Sequence, residues 1–229
     1  MEGQETGWQT FQVTSLTEGL QALFLELLEH HGPQHWWPAD TPFEVMLGAV
    51  LTQNTAWTNV EKAIHNLKQL IELDCDSLLS LPPETLAEAI RPSGYFNLKT
   101  ERLRHLCRFL QANPNLDQLD DQTLRSRLLC VHGIGPETAD DILLYAFQRP
   151  VFVIDAYTRR LLGRLGWIDA QMPYEPLRKT IEQALESDVQ YFNEYHALIV
   201  IHAKSICRTR PLCSVCPVQK QCDYAARTI

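Results

Sequence analysis

The sequence predicts an all-α protein built as two helical lobes with a cleft between them. Three observations carry that expectation. Apolar residues recur at helical spacing nearly throughout, helix-start signals precede several of these runs, and only Val151–Ile154 reads as extended. Helices joined by loops this short are expected to pack against one another in compact lobes. With 229 residues and 45% hydrophobic content, the chain can bury a substantial core.

Taken in order, Leu20, Leu23, Phe24, Leu27 and Leu28 define a first helix that should stop at His30-His31-Gly32. Thr41-Pro42-Phe43-Glu44 combines an N-cap, a proline at the first helical position and a capping-box glutamate. Thr58-Asn59-Val60-Glu61 repeats the box and predicts a second start. Further helices are expected at about 83–90, 98–112, 121–130, 136–147, 156–165, 175–187 and 192–206. No Gly/Ser linker, low-complexity tract or internal repeat divides the chain.

The longest apolar stretches, such as Leu47–Leu51 and Ala197–His202, fall far short of the roughly 20 residues of a membrane span, so no membrane partner is expected. Met1-Glu2-Gly3-Gln4-Glu5 lacks the basic start and apolar run of a secretory signal, which points to the cytosol. Seven cysteines there argue for a metal site where they cluster, rather than a disulfide framework. Cys75, Cys107 and Cys130 stand at apolar-spaced helical positions and read as small core residues.

A net charge of −8 is weak ground for a nucleic-acid partner unless the charge is uneven, and it is uneven. Residues 201–229 carry Lys204, Arg208, Arg210, Lys220 and Arg227 against Asp223 alone. Lys99, Arg102, Arg104 and Arg108 crowd a central segment. Such local basic faces are expected to hold a phosphate backbone in a salt-sensitive way.

Leu128–Ala139 ends one helix and starts the next through Gly133-Ile134-Gly135, with Pro136 suited to the first helical position. On its own this is an ordinary tight connection. It is also a place where backbone approaches a ligand closely and where helix-start amides hold a phosphate oxygen without any lysine. Twenty residues on, Asp155 should cap the helix beginning Ala156-Tyr157-Thr158, a role worth on the order of 1 kcal/mol. The same placement keeps a carboxylate ionised, able to stabilise a sugar cation and to orient or deprotonate water.

Cys207-x5-Cys213-x2-Cys216-x5-Cys222 gathers four thiols within sixteen residues. Four thiolates suit an iron–sulfur cluster or tetrahedral zinc. Zinc sites typically pair two short C-x2-4-C units, and one such pair exists here.

From Pro42 to Cys222 the sequence resembles the endonuclease III family of helix-hairpin-helix DNA glycosylases, through the Pro-Phe-Glu helix start, the Gly-Ile-Gly hairpin, the Asp155 segment and the cysteine tail. The resemblance implies a six-helix barrel with the hairpin, taken as 38–149, beside a lobe of both chain ends, 1–37 and 150–229, with a cluster loop at 207–222. It implies double-stranded DNA holding a damaged base as partner and a catalytic role for Asp155; the enzyme is expected to be a monomer. It favours [4Fe–4S] on Cys207, Cys213, Cys216 and Cys222, although the family's usual first spacing is six residues rather than five.

Bifunctional members carry a lysine nucleophile two residues beyond the hairpin's last glycine. Here that position is Glu137, which cannot form an imine, so hydrolysis by water without strand cleavage is expected.

Trp36, Trp37 and Phe43 are candidate stacking surfaces for a flipped base, although aromatics near a helix start more often serve a core. An indole face also attracts a cationic alkylated purine, a base that leaves without a strong general acid. The same neighbourhood resembles the 3-methyladenine glycosylase branch, in Trp36-Trp37-Pro38, Phe43, the Gly48–Thr55 run and Arg91-Pro92-Ser93-Gly94-Tyr95. That branch also has a His-x-Lys before the first cluster ligand, matched by His202 and Lys204. Ala49 stands where the adenine-mismatch branch holds a catalytic glutamate. The family inserts a polar side chain into the gap left by the flipped nucleotide, a part open to Gln53 or Asn54, either of which also suits a helix end. The expected activity is therefore release of an alkylated purine. The alternatives are release of oxidised or deaminated pyrimidines, and non-catalytic binding of damaged DNA.

Overall fold

The computed structural model describes residues 13–228, so the reading of Met1–Glu5 lies outside the described residues. Twelve α-helices follow in chain order: α1 (Val13–His31), α2 (Pro42–Leu51), α3 (Trp57–Leu70), α4 (Cys75–Ser80), α5 (Pro83–Ala89), α6 (Phe96–Ala112), α7 (Asp121–Leu129), α8 (Pro136–Asp141), α9 (Ala156–Leu165), α10 (Tyr174–Ala184), α11 (Val189–Ser205) and α12 (Asp223–Thr228). No strand occurs among the described residues, and Val151–Ile154 is a buried run belonging to no sheet. No helix among them is long and apolar enough to cross a membrane.

The chain forms two compact units, His35–Val153, and Met1–Gln34 with Ile154–Ile229. In the first, α2 is the buried centre: every residue from Glu44 to Leu51 is inside, with α3, α6, α8 and the turn after α8 packed on it. Its start is secured as expected at Thr41, whose hydroxyl accepts from the Glu44 amide at 3.1 Å. The glutamate reaches one residue further back than a capping box requires, to the Asp40 amide at 3.0 Å, and pairs with Lys68 at 2.8 Å. In the second unit α11 packs on α1 and α9. Tyr195, fully buried, closes that core by donating to the Leu20 carbonyl at 2.7 Å.

Three expectations are corrected. The Thr58–Glu61 box is not used: α3 starts at Trp57 after Ala56, without a side-chain cap, and Glu61 accepts instead from the Trp57 indole at 2.9 Å. Cys107 is buried, but Cys75 is half-buried and Cys130 exposed at the C-cap of α7, where side chains turn outward. The central basic segment is no open phosphate face. The Lys99 amine is buried and donates to the carbonyls of Leu51 and Ser93 and to the Thr55 hydroxyl, each at 2.7 Å. Arg104 donates to the Leu79 and Leu81 carbonyls and Arg102 to Gln53, leaving Arg108 exposed.

Candidate active site

The hairpin is built from α7, a turn and α8. Arg125 of α7 donates from two nitrogens to Asp140 of α8, at 2.5 and 3.1 Å, and Asp140 is completely buried. This forked ion pair clamps the two helices. Within the turn, Ile134 points its side chain inward and gives its amide to the Val131 carbonyl at 3.0 Å, so it anchors the loop. Gly133 adopts φ +91°, and a Cβ there would run into the Arg102 side chain. Gly135 differs: it is exposed, a Cβ would meet nothing within 4 Å, and it caps α8 without any side-chain hydrogen bond. Backbone is thus presented to solvent at Gly135, while Gly133 is required by packing and by its left-handed conformation.

Gln53 follows α2 and is tied to the hairpin, donating to the Gly133 carbonyl at 3.0 Å and the Thr138 hydroxyl at 2.9 Å while accepting from Arg102. Asn54 is exposed at φ +53°. Of the two, Asn54 is the side chain presented outward.

Trp36 and Trp37, joined by a cis peptide, belong to a ring cluster. Trp57 lies 5.4 Å from Trp36 and 5.1 Å from Trp37, and Tyr145 lies 5.1 Å from Trp37 between ring centroids. Trp37 also packs on Gly48, whose Cβ would stand 3.1 Å from the indole. Phe43 is half-buried in the first turn of α2, and Trp57 and Tyr145 complete the cluster. Tyr145 is delivered by a π-type turn, Ile142–Ala146, in which the Phe147 amide reaches the Ile142 carbonyl. Nothing in the local pattern distinguishes that turn from continued α-helix.

In the other unit, Asp155 caps α9 as expected: its Oδ1 accepts from the Thr158 amide at 2.7 Å. Its Oδ2 lies 3.6 Å from His196 Nε2 of α11, and the two side chains are 12% and 6% exposed. Burial alone pushes the Asp155 carboxyl up. His196 and Thr158 outweigh it and hold the group below its ordinary value. No motif marks His196 in the sequence; it looks like any polar residue of a helix until α11 packs on α9.

The four tail cysteines line one pocket with Leu161, Arg164 and Tyr224. Arg164 binds the loop through the carbonyls of Cys207, Arg208 and Thr209, and its Nη1 stands 3.3 Å from Cys207 Sγ. His202, fully buried, lies 3.6 Å from Cys216 Sγ on one side and 3.1 Å from His31 on the other. Among the described residues no three ligating side chains converge as around a single bound ion. The four residues nonetheless line one pocket, with an Arg164 nitrogen beside the Cys207 sulfur and a His202 nitrogen beside the Cys216 sulfur. Lys204, Arg208, Arg210 and Lys220 are exposed around them.

Residues 47–187 match the HhH-GPD superfamily of base excision DNA repair proteins. The chain belongs to that superfamily. MJ1434 of Methanocaldococcus jannaschii, provisionally named a DNA repair glycosylase, is 44% identical over 90% of this chain and 96% of its own. Endonuclease III of Escherichia coli is 25% identical over 80% of this chain and 84% of its own. An endonuclease III–DNA complex has the same fold, with TM-score 0.81 over 92% of this chain and 97% of that one at 21% identity. The 3-methyladenine DNA glycosylase MagIII of H. pylori, solved with 1,N6-ethenoadenine, reaches TM-score 0.70 at 32% identity over 85% and 98%. This HhH-GPD protein is a DNA repair glycosylase.

Proposed function

We propose that the protein is a monofunctional glycosylase that hydrolyses the N-glycosidic bond of an alkylated purine such as 3-methyladenine, flipped from double-stranded DNA. The reading rests above all on the Asp155 carboxylate, largely enclosed and held anionic at a helix start, in a chain with Glu137 at the lysine position of bifunctional relatives. The C1′–N bond breaks with its electron pair leaving on the base. Asp155 stabilises the sugar cation and accepts a proton from the water whose oxygen bonds C1′. A purine already cationic leaves as a neutral base, so no general acid is needed.

Trp36, Trp37 and Trp57 offer indole faces to such a cation, and the likeness to a protein solved with an ethenoadenine supports a modified purine. Gly135 backbone and the exposed basic side chains of the tail hold phosphates, and Asn54 is the candidate to fill the gap behind the flipped nucleotide. Cys207, Cys213, Cys216 and Cys222 would hold a [4Fe–4S] cluster, which supplies structure to the tail and takes no part in base release. We further propose a monomer working in the cytoplasm.

Asp155→Asn is expected to bind lesion DNA as the parent does while base release falls by at least about a hundred-fold. Unchanged release would leave a non-catalytic binder. A panel of lesions tests the base: excision of oxidised pyrimidine without 3-methyladenine defeats the indole argument. Borohydride should trap no adduct on an abasic site. Iron and labile sulfide near four each per chain, with a brown colour, are expected of a four-iron cluster.

A further inference from the structure

The Asp155 carboxylate has both oxygens addressed by other elements of its unit. Thr158 donates to Oδ1 from the first turn of α9, and the His196 imidazole stands 3.6 Å from Oδ2. Both helices are well packed here: Thr158 is fully buried and His196 5% exposed. Among the described residues of α11 and α12, the helices packed on α9, His196 is the one titratable group acting on this carboxylate. The neighbouring Tyr174 hydroxyl is turned to the Ile154 amide at 3.4 Å.

We infer that His196 is a positioning residue for base release: its imidazole, 3.6 Å from Oδ2, orients the Asp155 carboxylate. This rests on the glycosylase reading of Asp155. A carboxylate held only by Thr158 is free to rotate about its Cβ–Cγ bond, and in so dry a place it takes up a proton readily. The His196 imidazole, 3.6 Å from Oδ2, opposes that uptake. Glutamine in its place supplies an N–H without the charge, and leucine supplies neither.

The experiment is single-turnover base release against pH, on whichever lesion the parent excises, with DNA affinity measured alongside. In His196→Leu the acid limb should move up by about one pH unit or more, and the plateau rate fall by about ten-fold. DNA affinity should not change. In His196→Gln the limb should move similarly, while the plateau returns to within a few-fold of the parent because Oδ2 is held again. An acid limb at the parent's position in either folded variant overturns the inference, as does equal plateau loss in both, which is what a packing residue gives. Should leucine prevent folding, the limb of His196→Gln decides alone. An active Asp155→Asn defeats the glycosylase reading itself. A dead Asp155→Asn beside unmoved His196 profiles defeats only the role given to His196.

Discussion

At the scale of single residues, this protein buries charge only where neighbouring groups answer it. The Lys99 ammonium is 1% exposed, and burial, then Arg102, lowers its pKa to about 8. It persists because its three N–H bonds meet three acceptors, the Leu51 and Ser93 carbonyls and the Thr55 hydroxyl. Those acceptors sit beside Asn54 and Tyr95, both exposed and both at positive φ. One side chain therefore pins two loops. Lys99→Met should lower stability by about 2–4 kcal/mol, since it strands buried acceptors, and urea melts would measure it. For Asp155 the linkage has the same sense as for Lys99, because folding lowers both pKa values. Its folded pKa is depressed, so the stabilisation is present above the unfolded carboxylate pKa and is lost as pH falls through the folded one.

At the scale of elements, the hairpin is held by a cross-helix clamp rather than by its glycines. α7 has little amphipathic character of its own, and only Leu124 and Leu128 bury along it. The Arg125–Asp140 fork supplies the fixed geometry. Arg125→Met leaves Asp140 charged, buried and short of its fork. It should cost about 3–5 kcal/mol, read as a lower unfolding midpoint, and weaken DNA binding beyond any loss of charge. Element boundaries followed local chemistry where that chemistry was undisputed, as at Thr41, Asp155 and the Gly32 stop. They departed from it at Thr58, where the Trp57 indole claimed Glu61, and at α4, whose six residues are too few to display a helical period.

At the scale of the whole molecule, a chain of net charge −8 carries its charge unevenly, and the proposed DNA contacts follow from that distribution. Three of the nine expected basic side chains turn their donors inward. Lys99, Arg102 and Arg104 spend their donors on backbone and on Gln53, whereas Lys204, Arg208, Arg210 and Lys220 remain exposed. Phosphate contacts should therefore come mainly from the tail and from the Gly135 backbone. Arg208→Ala and Arg210→Ala are each expected to weaken binding uniformly across DNA sequences and to reduce the slope of log affinity against log salt by about 1. Arg102→Ala should leave the slope unchanged.

The sequence by itself determined the helical character of the chain, the Gly133–Gly135 turn, the helix start at Asp155, the grouping of the four tail cysteines and the glutamate at 137. Each of these is written within a few neighbouring residues, because caps, turns and helical periods act over one or two turns of backbone. Only the tertiary structure decided that His196 stands against Asp155, that Trp57 and Tyr145 rather than Phe43 complete the ring cluster, and that Lys99 points inward. Those pairings join residues far apart in the chain. A single sequence shows which side chains need partners when buried, while the partners themselves are chosen by how the helices pack.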